Sequence, residues 1–437
     1  MSFKPVQKLN ITRTLSTGAQ ITLGTLAQNR QGVFFQYDAG YIKEYGNASP
    51  FQLDATLELQ LSPKNPHGGL HGVFADSLPD GWGLLLQDRV FRQQGILPSQ
   101  LTLMDRLAFV GHSALGALSF DPVYPIPIVH EEVDLATLGL QAQALFDGQT
   151  DQVLTALVTA GSSGGARPKA QIYFSPNHPE HCRTIAQAND DAWLIKFTSA
   201  HLPLGHEEGL CEAAYLTLAA KAQLQPVEWQ LLDAPSQSGA RRWLAVKRFD
   251  WVNLASRIKH NAHIHYHAGR YHVLSACGLL DADFRSPSLD YAELIKASRM
   301  LCQSPSVGQL QFRRAMFNLF ACNQDDHSKN WAFLQDDKGA WQPTPCYDVT
   351  FSLHPFGEHA TAFAGFGKQP SLKAVQQLAN HAGFKNWQQA QQVIKEVVEA
   401  IASFKDVAKS LEISRQTTQL IGKQLDVVWQ QNKQLIV

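Results

Sequence analysis

The sequence is poor in cysteine, in long apolar runs and in surplus charge, and each shortage narrows the class of protein. Its six cysteines include no C-x-x-C pair, a pattern typical of reduced, mostly buried thiols in a cytoplasmic protein. No apolar run approaches the ~20 residues that a membrane span needs, and the first ten residues lack the apolar core of a signal peptide. With 37 basic and 38 acidic residues, the net charge of −1 does not favour direct nucleic-acid binding.

The length of 437 residues predicts two or three domains, because one hydrophobic core rarely serves so long a chain. Residues 121–131 contain three prolines and are typical of an extended linker, so we place a boundary there. The predicted parts are a β-rich subdomain at 1–125, a sheet-containing lobe at 126–250 and a helical lobe at 251–437.

Hydrophobic periodicity assigns the chain to the α+β class. Strands are expected over residues 10–62 and at 154–159, 170–174, 192–197, 227–232 and 243–249. Asp80 is expected to cap the helix that follows it. Helices are expected at 133–147 and 207–224, and they dominate from 288 onward. A small antiparallel sheet followed by a large helical region favours a bilobal domain.

The strongest chemical signal lies in the polar segment 323–330, between two apolar stretches. Asp325 and Asn330 are five residues apart, the spacing at which a kinase catalytic loop carries its base and a metal-binding amide. Asp348 follows at a distance suited to a second metal ligand that bridges Mg²⁺ to phosphates. For any single acidic residue, a helix cap or a surface charge is the competing interpretation. Together the three residues predict an ATP-dependent phosphotransferase.

The neighbours of Asp325 are more ambiguous. Asp326 has the wrong spacing to be the base, so it either orients the loop or is solvated, with solvation favoured. His327 is expected to hydrogen-bond the backbone and hold the loop, as the histidine of a kinase catalytic loop does. An ordinary structural histidine is the alternative. Lys329 is expected to neutralise the transferring phosphate, with simple exposure as the alternative. We count His327 and Lys329 among the predicted ATP-binding residues.

A lysine at the end of an apolar strand, Lys196, is costly to bury unless its charge is paired. Kinases place such a lysine on the ATP phosphates and pair it with a glutamate of the next helix. Glu212 is the predicted partner, and Glu207 and Glu208 compete with it.

A glycine-rich segment, residues 161–169, precedes the strand that carries Lys196. Glycines allow backbone N–H groups to approach phosphate closely, although a plain hairpin turn would have a similar composition. The predicted phosphate-binding residues are Gly164, Gly165, Ala166, Arg167 and Lys169. Ser162 and Ser163 place hydroxyl groups at the same site. Further along, backbone groups of Lys247 and Phe249 are expected to contact adenine, unless they form an ordinary strand end.

Seven motifs, in this order, carry a resemblance over nearly the whole chain. They are Phe74-Ala-Asp-Ser-Leu-Pro-Asp-Gly-Trp-Gly, Arg106-Leu-Ala-Phe-Val-Gly, Gly164-Gly-Ala-Arg-Pro-Lys, Trp193-Leu-Ile-Lys-Phe, Lys247-Arg-Phe-Asp, Asn323-Gln-Asp-Asp-His-Ser-Lys-Asn and Tyr347-Asp. The sequence resembles the HipA family, the serine/threonine-kinase toxins of bacterial type II toxin–antitoxin systems. The resemblance implies a protein-kinase-like fold with an N-terminal β-rich subdomain.

By position, the resemblance makes Asp325 the catalytic base, Asn330 and Asp348 the Mg²⁺ ligands, and Lys196 the ATP lysine. It implies autophosphorylation in the glycine-rich loop, at Ser162 by position with Ser163 beside it, which silences the enzyme. Such a phosphate would add about −2 charge where the ATP phosphates are expected. Lys247 departs from relatives, which often have an acidic hinge residue, so adenine contact there is expected through the backbone.

The resemblance also implies partners. These are a small helix-turn-helix antitoxin (HipB-like), operator DNA reached through that antitoxin, and a protein substrate such as an aminoacyl-tRNA synthetase. Two other functions compete with the toxin kinase. One is a weakly active kinase fold that acts as a corepressor with its antitoxin. The other is a metal-dependent hydrolase using Asp325, Asp326 and His327, with further ligands from His260, His263, His265 and His267.

Overall fold

The structure, a computed structural model, describes residues 3–125, 134–153, 155–159, 164–175, 178–187, 190–254 and 268–436. These residues form a mixed fold with two five-stranded sheets and a mostly helical C-terminal region, as the α+β prediction requires. Within the described ranges, no helix is both long and apolar enough to cross a membrane. Five of the six cysteines are buried, and Cys302 is partly buried.

The N-terminal region is an antiparallel sheet covered by short helices. Its strands are β1 (Lys8–Thr14), β2 (Gln20–Gln28), β3 (Val33–Tyr37), β4 (Gln60–Leu61) and β5 (Leu118–Asp121), in the order β4-β3-β2-β1-β5. Leu9 and Ile11 are fully buried, while Lys8 and Asn10 are exposed, the alternation expected of a one-sided sheet. Sequence patterning correctly predicted β1 to β3.

A helix interrupts the stretch that patterning assigned to strands. Helix α1 (Ala39–Tyr45) begins where the side chain of Asp38 accepts hydrogen bonds from the N–H groups of Gly40 and Tyr41. Such capping favours a helical turn over continued strand. The other helices of this region are α2 (Gly72–Ala75), α3 (Gly81–Gln93) and α4 (Leu103–Val110).

The second sheet has the order β7-β6-β8-β10-β9, and every pairing in it is antiparallel. Its strands are β6 (Lys169–Ser175), β7 (His178–Arg183), β8 (Asp191–Lys196), β9 (Trp229–Asp233) and β10 (Arg242–Lys247). Helix α5 (Leu135–Phe146) and Trp82 of α3 pack on one side of it. Helix α7 (Glu208–Lys221), which is almost entirely buried, lies between this sheet and the C-terminal helices.

One predicted strand of this region is wrong. Residues 154–159 were expected as a strand, but Thr155–Thr159 form a helix, α6. Leu157 of that helix is 1% exposed and joins the core beside Trp82. Short apolar runs have no distinctive periodicity, so tertiary packing decided the outcome.

The C-terminal region surrounds the largest apolar core, to which α7 contributes. Short strands connect its helices: β11 (Trp251–Val252), β12 (Gly269–Arg270), β13 (His272–Ser275), β14 (Leu289–Asp290), β15 (Ala332–Gln335), β16 (Trp341–Pro343) and β17 (Thr361–Ala362). The helices are α8 (Ala276–Leu280), α9 (Tyr291–Cys302), α10 (Pro305–Phe320), α11 (Leu372–Ala382), α12 (Trp387–Ala402), α13 (Phe404–Ser410) and α14 (Arg415–Asn432). The polar segment 323–330 joins α10 to β15.

Candidate active site

The site is organised around the ammonium group of Lys196 at the end of β8. Its Nζ lies 2.6 and 2.8 Å from the two carboxylate oxygens of Glu212 on α7. It also lies 2.6 Å from Oδ1 of Asp348. Lys196 is 7% exposed and Glu212 is 1% exposed, so this cation would be unstable without its partners. The structure therefore brings the predicted pair of Lys196 and Glu212 together with Asp348, which the sequence analysis had selected for another reason.

The same charges fix the protonation states of the group. Burial alone would raise the pKa of the Asp348 carboxyl, but Lys196 and then Lys169 hold that pKa far below its usual range. Burial opposes protonation of Lys196, yet Asp348 and Glu212 raise its pKa above that of a free lysine. Near neutral pH, the site therefore presents an ionised carboxylate beside a charged ammonium group.

The segment after α10 presents Asp325 to solvent. The Asp325 side chain is 60% exposed, and Nε2 of His327 lies 3.8 Å from its Oδ1. The Asn330 side-chain amide donates to the Asp325 carbonyl at 2.8 Å, which orients the amide and leaves its oxygen at the other end. This geometry leaves the Asp325 carboxylate accessible to another molecule.

Asn330 and Asp348 line the same small pocket, together with Tyr347, Trp331 and residues of α10. The Tyr347 hydroxyl donates to the Lys329 carbonyl at 2.6 Å, which ties the Asp348 segment to the Asn330 segment. Asp348 adopts a φ of +53°, a left-handed conformation that is uncommon outside glycine and concentrated at functional sites. Two oxygen-bearing side chains at one pocket suit a hard cation.

Asp326, for which solvation was favoured, is instead buried at 1% exposure. Its carboxylate accepts hydrogen bonds from the Tyr291 hydroxyl, the His359 ring and the N–H groups of Ala360 and Thr361. The favoured interpretation was wrong, because four donors from two distant segments converge on this side chain. Asp326 fixes the polar segment to the protein interior, while the side chain of Asp325 faces solvent.

The glycine-rich segment is described from Gly164 onward, and Ser162 and Ser163 lie outside the described residues. Lys169 donates from Nζ to the Gly164 carbonyl at 2.6 Å. Burial lowers the pKa of Lys169 to about 8, although Asp348 opposes that shift. Arg167 pairs at 3.0 Å with Glu208, a partner that sequence reasoning did not assign to it. Ala166 is exposed at the turn.

The three candidate glutamates have three different partners. Glu212 takes Lys196, Glu208 takes Arg167, and Glu207 accepts hydrogen bonds from Ser414 and Thr417. Glu208 and Glu212 are four residues apart and share one face of α7, which both cations approach, whereas the adjacent Glu207 lies on another face.

Asp80 is a site residue that the sequence analysis assigned to another task. It occupies the N-cap position of α3, but in the described structure its side chain makes no capping hydrogen bond. It instead accepts from the Gly165 N–H, and its Oδ2 lies 2.7 Å from Nζ of Lys329. An aspartate at the start of a helix predicts an N-cap, so the sequence pattern did not indicate the contacts with Gly165 and Lys329.

The residues of the predicted adenine hinge, Lys247 and Phe249, already contact other parts of the protein. The Lys247 N–H donates to the Glu228 carbonyl at 2.9 Å, so the sheet already uses that donor. The Lys247 ammonium lies 2.8 Å from Asp191 and 3.2 Å from Glu228. Phe249 packs against Tyr347, with ring centroids 5.5 Å apart. Contact of this edge with adenine stays a prediction.

The described ranges contain no cluster of three or more histidine, cysteine or acidic side chains suited to hold a metal. The hydrolase hypothesis required Asp326 as a ligand, yet this carboxylate is committed to structural hydrogen bonds. Its four histidines, His260, His263, His265 and His267, lie outside the described residues.

Comparisons with known proteins extend these observations. The family model of the HipA-like C-terminal domain matches residues 161–404, and that of the HipA N-terminal domain matches residues 18–121. Y4dM, a candidate kinase of Sinorhizobium fredii, is 22% identical in an alignment of 381 residues that covers 81% of this chain and 80% of that protein.

A solved structure from Shewanella oneidensis has a similar fold. It is the toxin–antitoxin system HipA and HipB with its operator DNA, matched at a TM-score of 0.65 and 14% identity over 96% of each chain. The C-terminal family model alone spans more than half of the sequence. From its N-terminal sheet to its C-terminal helices, the chain belongs to the HipA family.

Proposed function

We propose that this protein is a Mg²⁺- and ATP-dependent protein kinase that phosphorylates serine or threonine. The observation that supports this most strongly is the contact of Lys196 with both Glu212 and Asp348. Protein kinases require a lysine–glutamate pair and an aspartate for the metal at one place. In this proposal, the sheet with α7 forms one lobe of a bilobal, kinase-like domain. The helical region forms the other lobe, with boundaries near residues 126 and 250.

The residues present suit Mg²⁺ and ATP. The Asp348 carboxylate is held ionised, and it shares a pocket with the Asn330 amide. Carboxylate and amide oxygens are ligands that Mg²⁺ accepts, with phosphate oxygens and water completing its shell. Lys196, Arg167, Lys169 and the backbone of Gly164 would face the phosphates, whereas the N–H and carbonyl groups of Gly165 already bond to Asp80 and Trp82. Bound ATP would supply the phosphoryl group.

The chain's own residues then perform distinct tasks. Asp325 is exposed and positioned to accept the proton of the substrate hydroxyl. Lys196 neutralises phosphate charge while Glu212 keeps its ammonium in place. Asp326 fixes the backbone that carries Asp325 and Asn330. Positioning and charge stabilisation of this kind provide most of the catalysis in phosphoryl transfer.

We further propose that the kinase is a cytoplasmic toxin controlled by a helix-turn-helix antitoxin similar to HipB. The Shewanella structure, a complex of HipA with HipB and operator DNA, supports such a partner. A translation protein such as an aminoacyl-tRNA synthetase is the proposed target. Autophosphorylation at Ser162, or at Ser163 beside it, is the proposed means of silencing.

Replacing the proposed base tests this function. Wild-type protein, Asp325→Asn and the exposed control Asp406→Asn are incubated with γ-labelled ATP and Mg²⁺, and incorporated phosphate is mapped by peptide. We expect label in the wild type and the control, with a loss of at least about 100-fold in Asp325→Asn. Binding of Mg-ADP, measured by calorimetry, should be similar in all three.

Equal labelling of Asp325→Asn and wild type would reject Asp325 as the base. Nucleotide binding without phosphate transfer in the wild type would instead favour a corepressor that acts with its antitoxin.

A further inference from the structure

The segment around Asp80 connects the N-terminal region to both halves of the candidate site. Asp80 is 6% exposed. One carboxylate oxygen accepts the Gly165 N–H, and the other lies 2.7 Å from Nζ of Lys329. Gly165 belongs to the glycine-rich loop and Lys329 to the segment of Asp325, 249 residues from Asp80 along the chain. The Asp80 side chain therefore connects the glycine-rich loop to the segment of Asp325. The phosphates of ATP would lie between these two segments.

Additional contacts make this junction specific. The Trp82 N–H donates to the Gly165 carbonyl at 3.0 Å, and the Trp82 indole donates to the Lys169 carbonyl at 2.8 Å. Gly81 has a φ of +40°, and a Cβ there would lie 2.6 Å from the Gly165 carbonyl oxygen. Residues 80–82 therefore pack against the glycine-rich loop too closely for any larger residue at position 81.

The same segment is fixed to the C-terminal region at its other end. The Asp76 carboxylate accepts from the Ser275 N–H at 2.6 Å and from the Ser275 hydroxyl at 2.7 Å. Gly72 and Gly278 pack backbone against backbone, since a Cβ on Gly72 would lie 2.1 Å from the Gly278 carbonyl oxygen. The segment 72–82 is thus held at both ends, as a brace between the two halves of the site.

We infer that Asp80 is a positioning residue of the N-terminal region that holds the glycine-rich loop and Lys329 in register for transfer of the terminal phosphate. This inference rests on the proposed kinase function. It gives the N-terminal region a direct part in phosphate transfer, beyond any role in binding a partner.

The geometry around Lys329 explains why its position depends on Asp80. The Lys329 ammonium lies 2.7 Å from Asp80 and 4.3 Å above the Phe284 ring. Burial opposes ionisation of Asp80, but Lys329 and the Gly165 N–H lower the pKa of its carboxyl below the usual value. Asp80→Asn preserves the size of the side chain and removes its charge, so the contact with Lys329 loses most of its strength.

Hydrogen–deuterium exchange of the free protein tests the contact without requiring activity. In Asp80→Asn, the peptide containing Gly165 should exchange at least about tenfold faster, because its charge-assisted hydrogen bond is weakened. The matched control is Asp88→Asn, which breaks a 2.8 Å ion pair with Arg106 inside the N-terminal region. The control should leave exchange at Gly165 unchanged. Equal exchange in Asp80→Asn and wild type would overturn the inference.

Kinetics then test the role. In Asp80→Asn we expect the rate of phosphate transfer to fall by about tenfold or more while the Kd for Mg-ADP changes by less than about threefold. A purely structural defect would slow phosphate transfer and weaken Mg-ADP binding to the same degree. That result would contradict a positioning role. Tighter Mg-ADP binding in Asp80→Asn would show that the carboxylate only occupies the place of a phosphate, and would also overturn the inference.

The two hypotheses fail in different ways. If wild-type protein neither binds Mg-ADP nor transfers phosphate, the proposed function fails and the positioning role fails with it. If the wild type is active and Asp80→Asn matches Asp88→Asn in every measurement, only the inference fails.

Discussion

The ammonium nitrogen of Lys196 lies 2.6 Å from a carboxylate oxygen of Asp348, although the two residues are 152 positions apart in the chain. The same nitrogen contacts Glu212 on α7. One buried cation thus joins a strand, a helix and the segment that follows β16. Because its partners come from three elements, the geometry of the site depends on the packing of both halves of the molecule.

Lys196→Met should abolish phosphate transfer and also destabilise the fold. It leaves Glu212, 1% exposed, without its partner, and loss of one member of a buried pair costs about 3 kcal/mol. Chemical denaturation measures the free energy of unfolding. Lys221→Met, at the exposed end of α7, the helix that carries Glu212, is the control and should behave as wild type. The double variant Lys196→Met/Glu212→Met should regain stability but not activity; if it is less stable than Lys196→Met, the pairing argument is wrong.

Asp326→Asn should destabilise the protein by about 2 kcal/mol, because an amide nitrogen would face donors that need an acceptor. Four donors converge on this buried carboxylate, from Tyr291, His359, Ala360 and Thr361. The melting temperature reports the loss, with the exposed Asp426→Asn as the control. A melting temperature equal to that of the control would restore the interpretation of Asp326 as a solvated residue.

Lys169 should make stability depend on pH in the alkaline range. Burial lowers its pKa to about 8 in the folded protein, from 10.5 for an ordinary lysine. Between these pH values Lys169 is more often protonated in the unfolded chain than in the folded protein. The contribution of Lys169 to the free energy of unfolding therefore rises with pH, by about 1.4 kcal/mol per unit. The difference in free energy of unfolding between wild type and Lys169→Met should therefore grow, in favour of wild type, from about pH 7.5 to about pH 9.5.

Denaturation at the two pH values measures that difference. Lys338→Met, in an exposed loop, should show no such growth. A wild-type advantage over Lys169→Met that stays constant with pH would contradict a depressed pKa.

Gly81→Ala should impair phosphate transfer through a steric effect on the glycine-rich loop. The new methyl group would lie 2.6 Å from the Gly165 carbonyl oxygen, in a backbone with φ of +40°. Gly95→Ala is a matched control, since Gly95 has a φ of +77° but open space around its Cβ position. Both variants should lose some stability from backbone strain, and only Gly81→Ala should slow phosphate transfer. Equal rates in the two variants would argue against a tight contact at this point.

Several features of the site could be predicted from short-range sequence patterns. The pairing of Lys196 with Glu212 followed from an apolar strand that ends in lysine and a helix that places a glutamate sixteen residues later. Asp325 and Asn330 share one short segment, so their spacing alone placed them together. Such features were predictable because they lie within one element or two neighbouring ones.

Other features could not be predicted, because they depend on contacts between distant parts of the chain. The donors to Asp326 come from α9 and from the segment 359–361. Asp80 looked like a helix cap, and only its burial against Gly165 and Lys329 gave it another partner. In the same way, the apolar run 154–159 fits strand and helix equally until packing selects one.

The sequence by itself determined the chemistry available to this protein: the residue types at the site, their spacing, and the alternation of apolar and polar positions that forms the strands and helices. The tertiary structure decided which of its charges meet. Burial makes an unpaired charge costly, so Lys196, Arg167 and Lys329 each take an acidic partner. The pairing of Lys196 with Glu212 follows a local pattern, but the contacts of Lys196 with Asp348 and of Lys329 with Asp80 join residues 152 and 249 positions apart, which no local pattern encodes.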